Sequence, residues 1–227
     1  MRPDTSHRYG LARWLVKLCA VLLVVCASYE AHAAPDDRRQ VLALGDSLTA
    51  GYGLGPGQSF PARLEKALVA GGLKVTVHNA GVSGDTASGG LSRLDWALAA
   101  VPGKPDLVIL ELGANDMLRG IDPAVTTRAL NAIMERFRKD GVPVLIAGMK
   151  AMPNMGADFG KQFNAIYPAL AKRYGAALYP FFLEGVAGKK ALNQADGLHP
   201  TAEGIDVIVT GIAPMVHSLL EKRPAGH

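Results

Sequence analysis

The chain has 227 residues, 49% of them apolar, with 24 Lys+Arg against 20 Asp+Glu and a net charge of +4. A length of this order past a short leader suits one domain with a sizeable core. The charges are interspersed without a basic block, which excludes a polybasic binder of nucleic acid or membrane surfaces.

Residues 1–33 read as a cleavable secretory leader. Arg2, Arg8, Arg13 and Lys17 make its basic start, Leu18–Ser28 its apolar run, and Ala31-His32-Ala33 a small-x-small cleavage site. The apolar run falls well short of the roughly 20 residues a spanning helix needs, so no stable membrane anchor is expected. Lipoprotein processing at Cys26 is disfavoured by the bulky Val25 before it. A Sec-type leader predicts a periplasmic or secreted protein, with a single domain over residues 34–227. That domain keeps 20 Lys+Arg against 18 Asp+Glu, a net of +2. Cys19 and Cys26, the only cysteines, leave with the leader, so the domain has no disulfide and no cysteine-based metal or redox centre.

Past the leader, apolar runs alternate with helical patterns, which predicts an α/β fold with a mostly parallel sheet. The first strand is Val41–Leu44, and Gly45-Asp46-Ser47-Leu48 follows at a strand-to-helix turn. The glycine-rich segment 51–57 lacks both the phosphate-loop and the dinucleotide fingerprints, so nucleotide binding is not expected. A helix opens at Ser59-Phe60-Pro61 and runs to about Ala70, with proline tolerated in its first turn. A strand over Lys74–Asn79, a helix over Gly89–Ala100 and a strand over Leu107–Glu111 come next. Asp122-Pro123 caps a helix reaching Lys139 before Gly141, and strand Pro143–Gly148, helix Asp158–Tyr174 and strand Ala176–Leu178 complete the alternation. In the last helix Ile205, Ile208, Val209, Ile212, Met215, Val216, Leu219 and Leu220 recur at three- and four-residue steps, which buries one face against the sheet. The whole predicts a three-layer sandwich of about five strands with helices on both faces.

Four segments carry the candidate chemistry. A serine hydroxyl needs a base to take its proton, and the base needs a third group to orient it. Ser47 alone reads first as a helix N-cap, and G-x-S-x-G is absent because Thr49 stands two residues on. Asp196-Gly197-Leu198-His199 places a carboxylate within one tight loop of an imidazole, and Pro200 ends that loop before the last helix. Taken alone, this is as well read as an Asp-capped turn with a surface histidine. Gly84, after the second strand, could offer an unobstructed backbone N–H, and Asn115, after the third, a side-chain amide; both suit a developing oxyanion. No dense ligand spacing joins Asp196, His199 and His78, so no metal is expected.

Together these segments resemble the SGNH (GDSL) hydrolase family, whose blocks occur here in order over essentially the whole of residues 34–227. Gly45-Asp46-Ser47-Leu48-Thr49-Ala50-Gly51-Tyr52, Ser83-Gly84-Asp85-Thr86, Glu111-Leu112-Gly113-Ala114-Asn115-Asp116, Ile166-Tyr167-Pro168 and Pro180-Phe181-Phe182 are most similar to the bacterial secreted acyl-CoA thioesterase I/lysophospholipase L1/arylesterase group. Ala114, where that group often has glycine, adds one methyl beside Asn115. The resemblance implies a flavodoxin-like sheet, Ser47 as nucleophile, His199 as general base and acid, and Asp196 as its orienter. It also implies an oxyanion hole from the Ser47 and Gly84 N–H groups and the Asn115 amide. The implied substrate is a small-molecule acyl ester or thioester, an aryl ester or a lysophospholipid, with no cofactor, no nucleic acid and a monomeric chain. Met117, Leu118, Met152 and Met155 are candidate walls of the acyl cleft, with Leu118 implied most directly. A carbohydrate O-deacetylase of the same family, and a non-catalytic periplasmic binding protein on the same fold, are the alternatives.

Overall fold

The computed structural model describes residues 38–222; the predicted leader and its cleavage site lie outside them. Five parallel strands form one sheet: β1 Arg39–Gly45, β2 Val75–Gly81, β3 Leu107–Glu111, β4 Val144–Ala147 and β5 Ala177–Tyr179, in the order β2-β1-β3-β4-β5. The two central strands explain why the sheet is covered on both faces. Val41–Leu44 and Leu107–Glu111 are buried at every position, as expected of parallel strands with helices above and below. Their register pairs Gly45 with Glu111 at the carboxyl ends, so both chains leave the sheet side by side.

The helices are α1 Ser47–Ala50, α2 Phe60–Ala70, α3 Ala87–Ser92, α4 Leu94–Ala99, α5 Ala114–Leu118, α6 Pro123–Lys139, α7 Ala157–Tyr174 and α8 Ala202–Glu221. Parallel connections are right-handed, and here the first runs one way along the sheet and the later ones the other way. The helices therefore divide between the faces, α2 packing with α8, and α6 with α3 and α7. The reversal falls between β1 and β3. Open sheets of this order leave a crevice at that point, outside the strand carboxyl ends.

Most predicted elements are found within one or two residues of their expected bounds. The helix expected over Gly89–Ala100 is instead two pieces, broken at Arg93 (φ −109°, ψ 13°), and begins two residues earlier at Ala87. Thr86 caps it by accepting from the Gly89 N–H, and Arg93 turns its side chain back toward the sheet. The helix after Ser47 is one turn long, and its N-cap is Asp46 rather than Ser47. Of the apolar stripe in α8, Ile205, Ile208, Val209, Ile212, Val216 and Leu220 are buried, while Met215 and Leu219 are only half-buried at its edge. Among the described residues α8 is the helix long and apolar enough to cross a membrane, and its stripe is taken up by the core.

Candidate active site

β1 delivers Gly45-Asp46-Ser47 to the crevice. Gly45 is required by close approach: a Cβ there would lie 2.1 Å from Thr49 Oγ1 and 2.6 Å from Glu111 Oε2. Beneath the turn Glu111 is fully buried, accepting from the Thr49 hydroxyl at 2.7 Å and from the Asp46 N–H at 3.3 Å, with Oε1 unpartnered. Asp46 is also fully buried; Oδ1 accepts from the Leu48 N–H at 3.0 Å and Oδ2 from the Asn115 amide at 3.1 Å. Burial lifts the Asp46 carboxyl to about 6, although the Leu48 N–H and the Asn115 amide pull it down. Burial also pushes Glu111 well above the usual carboxylate range, and the nearby Asp46 charge adds to the effect.

The loop before α8 brings the imidazole to the serine. His199 Nε2 lies 2.9 Å from Ser47 Oγ, and Nδ1 lies 2.6 Å from Asp196 Oδ2. Asp196 Oδ1 accepts from the Leu198 and His199 N–H groups at 2.9 and 3.0 Å, which closes the loop on itself. Those two N–H bonds, His199 first, and then the imidazole hold the Asp196 carboxyl down at about 2. An ionised carboxylate only accepts, so the proton sits on Nδ1 and the Nε2 lone pair faces the hydroxyl. The Tyr52 ring lies over the imidazole at 4.5 Å between centroids, tilted by 37°.

Two further strand ends complete the crevice. After β2, Gly84 has φ +87°, and Arg119 donates to its carbonyl at 2.7 Å. After β3, the Asn115 amide donates to Asp46 Oδ2 and to the Asp85 carbonyl at 3.0 Å, bridging the serine turn and the Gly84 loop. Both of its acceptors belong to the protein. Asp116 is buried and accepts from the Ala87 N–H at 2.8 Å and the Thr126 hydroxyl at 2.9 Å, pinning α3 and α6 to the same turn. Arg93 joins all three segments: it donates to the Gly45 carbonyl at 2.9 Å and to the Asp85 carboxylate, whose own backbone carbonyl holds Asn115.

The structure thus brings Ser47, Gly84, Asn115, Asp196 and His199 to one crevice. A cavity of about 660 Å3 opens beside them, within the range of small-molecule pockets. Met117, Leu118 and Met152 line it. Met155 does not: the 3-10 turn Pro153–Met155 carries it away from the cavity to pack half-buried against the core. Its place in the wall is taken by Ala151, Pro153, Phe181 and Leu183. The one-turn α1 also limits any dipole at Ser47, since so short a helix aligns few peptides. Tyr52, Arg93, Asp46 and Glu111 were not singled out as site residues in the sequence. Glu111 had a legible signal, an acid closing an otherwise apolar strand, whereas the partners of Arg93 are apparent only in three dimensions. Among the described residues no group of three or more His, Cys, Asp or Glu side chains could hold a metal ion.

A serine, histidine and aspartate gathered at the switch point of a 2-1-3-4-5 parallel sheet define a flavodoxin-like α/β protein with a serine-hydrolase type of site. The chain belongs to the GDSL-like lipase/acylhydrolase family, whose model matches residues 43–207. It is 40% identical over 189 residues to the arylesterase of Vibrio mimicus, covering 83% of this chain and 92% of that one. It is 35% identical over 199 residues to thioesterase 1/protease 1/lysophospholipase L1 of Escherichia coli K12, covering 88% and 91%. Among solved structures, AlinE4, an SGNH-hydrolase family esterase, superposes with a TM-score of 0.69 at 47% identity, covering 83% of this chain and 98% of that one.

Proposed function

We propose that this protein hydrolyses carboxylic esters and thioesters through an acyl-enzyme on Ser47. The observation that carries this reading is the unbroken chain from Asp196 through His199 to the Ser47 hydroxyl, at 2.6 and 2.9 Å. His199 Nε2 takes the hydroxyl proton as Oγ attacks the acyl carbon, and Asp196 stabilises the imidazolium that forms. The oxyanion meets the N–H groups of Ser47 and Gly84 and the Asn115 amide, which must share or release one of its present acceptors. His199 then protonates the departing alcohol or thiol, and water hydrolyses the acyl-enzyme by the same route in reverse.

The apolar lining from Met117 to Leu183 suits a medium or long acyl chain and offers little to a carbohydrate, which disfavours the deacetylase alternative. The names of the relatives, an arylesterase and a thioesterase/lysophospholipase, support aryl esters, acyl thioesters and lysophospholipids as the substrate classes. The leader read in the sequence supports a periplasmic or secreted site of action. The test is p-nitrophenyl octanoate hydrolysis by the wild type and Ser47→Ala. A loss of several orders of magnitude is expected, with a remainder from the oxyanion hole and binding; equal rates would remove Ser47 from the chemistry. Stoichiometric labelling of Ser47 by an organophosphate separates this reading from a non-catalytic binding protein.

A further inference from the structure

A second cavity, of about 530 Å3, adjoins the acyl cleft and shares Gly188, Asn193 and Gly197 with it. The two differ in charge. The acyl cleft holds one cation, Lys150, which already pairs with Glu184 at 3.7 Å and sits 4.8 Å from the centre of the Phe181 ring. The second cavity is lined by Lys189 and Lys190, both exposed, and among the described residues neither lies in an ion pair. Asp196 is the sole acid between Gly188 and His199, and its carboxylate is turned to His199 and the loop N–H groups rather than into this cavity. Among the residues lining this space two are therefore cationic and none is acidic.

That space is built on the histidine loop. The Gln194 N–H donates to the His199 carbonyl at 2.7 Å, and its side-chain amide donates to the Tyr52 and Pro200 carbonyls. The Asn193 amide donates to the Lys189 carbonyl at 2.9 Å, tying the lysine segment to the same loop. In acyl transfer Ser47 Oγ first adds to the acyl carbon, and the bond from that carbon to the leaving oxygen or sulfur breaks as the resulting oxyanion collapses back to a carbonyl. The leaving atom takes its proton from His199 Nε2. It therefore departs on the His199 side, and a leaving group larger than a simple phenol must run across residues 188–197.

Building on the ester-hydrolase reading above, we infer that the Lys189–Lys190 cavity is a leaving-group subsite that recognises the phosphoester anion of a phosphate-bearing alcohol or thiol. Two chemical sources share that anion: the nucleotide portion of a coenzyme A thioester and the headgroup of a lysophospholipid. Exposed charge pairs are individually weak, so together the lysines should raise kcat/KM by about three- to ten-fold at low salt. Screening at high ionic strength removes most of that gain.

The experiment compares matched substrates that differ in the phosphate: octanoyl-coenzyme A with octanoyl-pantetheine, and octanoyl lysophosphatidylglycerol with monooctanoylglycerol. Each is measured at low and high salt for wild type, Lys189→Gln/Lys190→Gln and the charge-retaining Lys189→Arg/Lys190→Arg. The expected result is a three- to ten-fold preference for the phosphate-bearing member of at least one pair. The preference is lost in the Gln double variant and at high salt, and kept in the Arg double variant. The pair that shows it names the source of the anion. Hydrolysis of p-nitrophenyl octanoate, which has no phosphate, stays unchanged in both variants. A wild type without the preference, or a Gln double variant that keeps it, overturns the subsite while p-nitrophenyl octanoate turnover leaves the hydrolase reading intact. A wild type that hydrolyses none of these esters overturns the hydrolase reading itself.

Discussion

Asp46 and Glu111 are two buried carboxyls stacked beneath the proposed nucleophile, and both titrate above their usual range. A carboxyl with a raised folded pKa holds a proton in the native state at pH values where the unfolded chain has lost it. Its native ionisation therefore costs nothing below about pH 4, and stability is lost as pH rises through about 6. For Asp46 the cost at neutral pH is on the order of 3 kcal/mol. Glu111→Gln keeps an acceptor for the Thr49 hydroxyl and removes one of the two charges. Urea denaturation should show this variant gaining stability on wild type at pH 8 and not at pH 4.5; equal differences at both would mean that the pair carries no such cost. Asp196 behaves in the opposite way. Held at about 2, it stays ionised at any pH well above that, so an acid limb nearer neutrality does not belong to it. At this scale Ser47, Asp196 and His199 were legible because spacing within one loop and the block around the serine are local features. The support beneath them was not, because Thr49 and Glu111 stand 62 residues apart and meet only through sheet register.

Three strand ends make the site, and one side chain ties them. Arg93 sits at the break between α3 and α4, with its side chain only 15% exposed, and reaches the Gly45 carbonyl and the Asp85 carboxylate. It touches no substrate, so it is a positioning residue. Arg93→Met should lower kcat by about 10- to 100-fold with KM nearly unchanged, because a misplaced oxyanion donor weakens transition-state binding alone. Arg93→Lys should recover part of the loss by restoring the contact to Asp85. Equal changes in kcat and KM, or a fall in melting temperature that accounts for the lost rate, would place Arg93 in the general scaffold instead. The helix over Gly89–Ala100 was foreseen as continuous because its apolar residues keep helical spacing through Leu91, Leu94 and Leu98. The break falls where Arg93 is drawn to Gly45 and Asp85, a tertiary effect, just after Gly89, Gly90 and Ser92, which are weak helix formers. α5 was hidden for a related reason: Ala114–Leu118 is a single turn whose start is set by Gly113 (φ +117°), and a Cβ at that position would lie 2.2 Å from the Tyr167 hydroxyl.

Across the whole molecule, the three-layer sandwich was readable because strands alternating with helices give a parallel sheet covered on both faces. The strand order was not, because the right-handed rule fixes the hand of each crossover and not the direction it takes along the sheet. Strand ends moved by a residue or two because a ladder stops where its neighbour stops, as when β1 runs on to Gly45 against Gly81 and Glu111. Met155 was misplaced because composition marked its loop as a wall, while the 3-10 turn decides which of its residues face the cavity.

The hydrogen bond between Ser47 and His199 joins residues 152 apart in sequence, close to the two ends of the described fold. Chains beyond about 150 residues commonly fold through intermediates, and contacts of such long range form late. During refolding from urea, esterase activity should therefore trail the far-ultraviolet circular dichroism signal; simultaneous recovery would contradict that order. The consequence is temporal. On the proposed reading, a chain made from its N-terminus finishes its serine turn early yet remains chemically silent until the loop before its last helix docks, so activity serves as a clock for the end of folding.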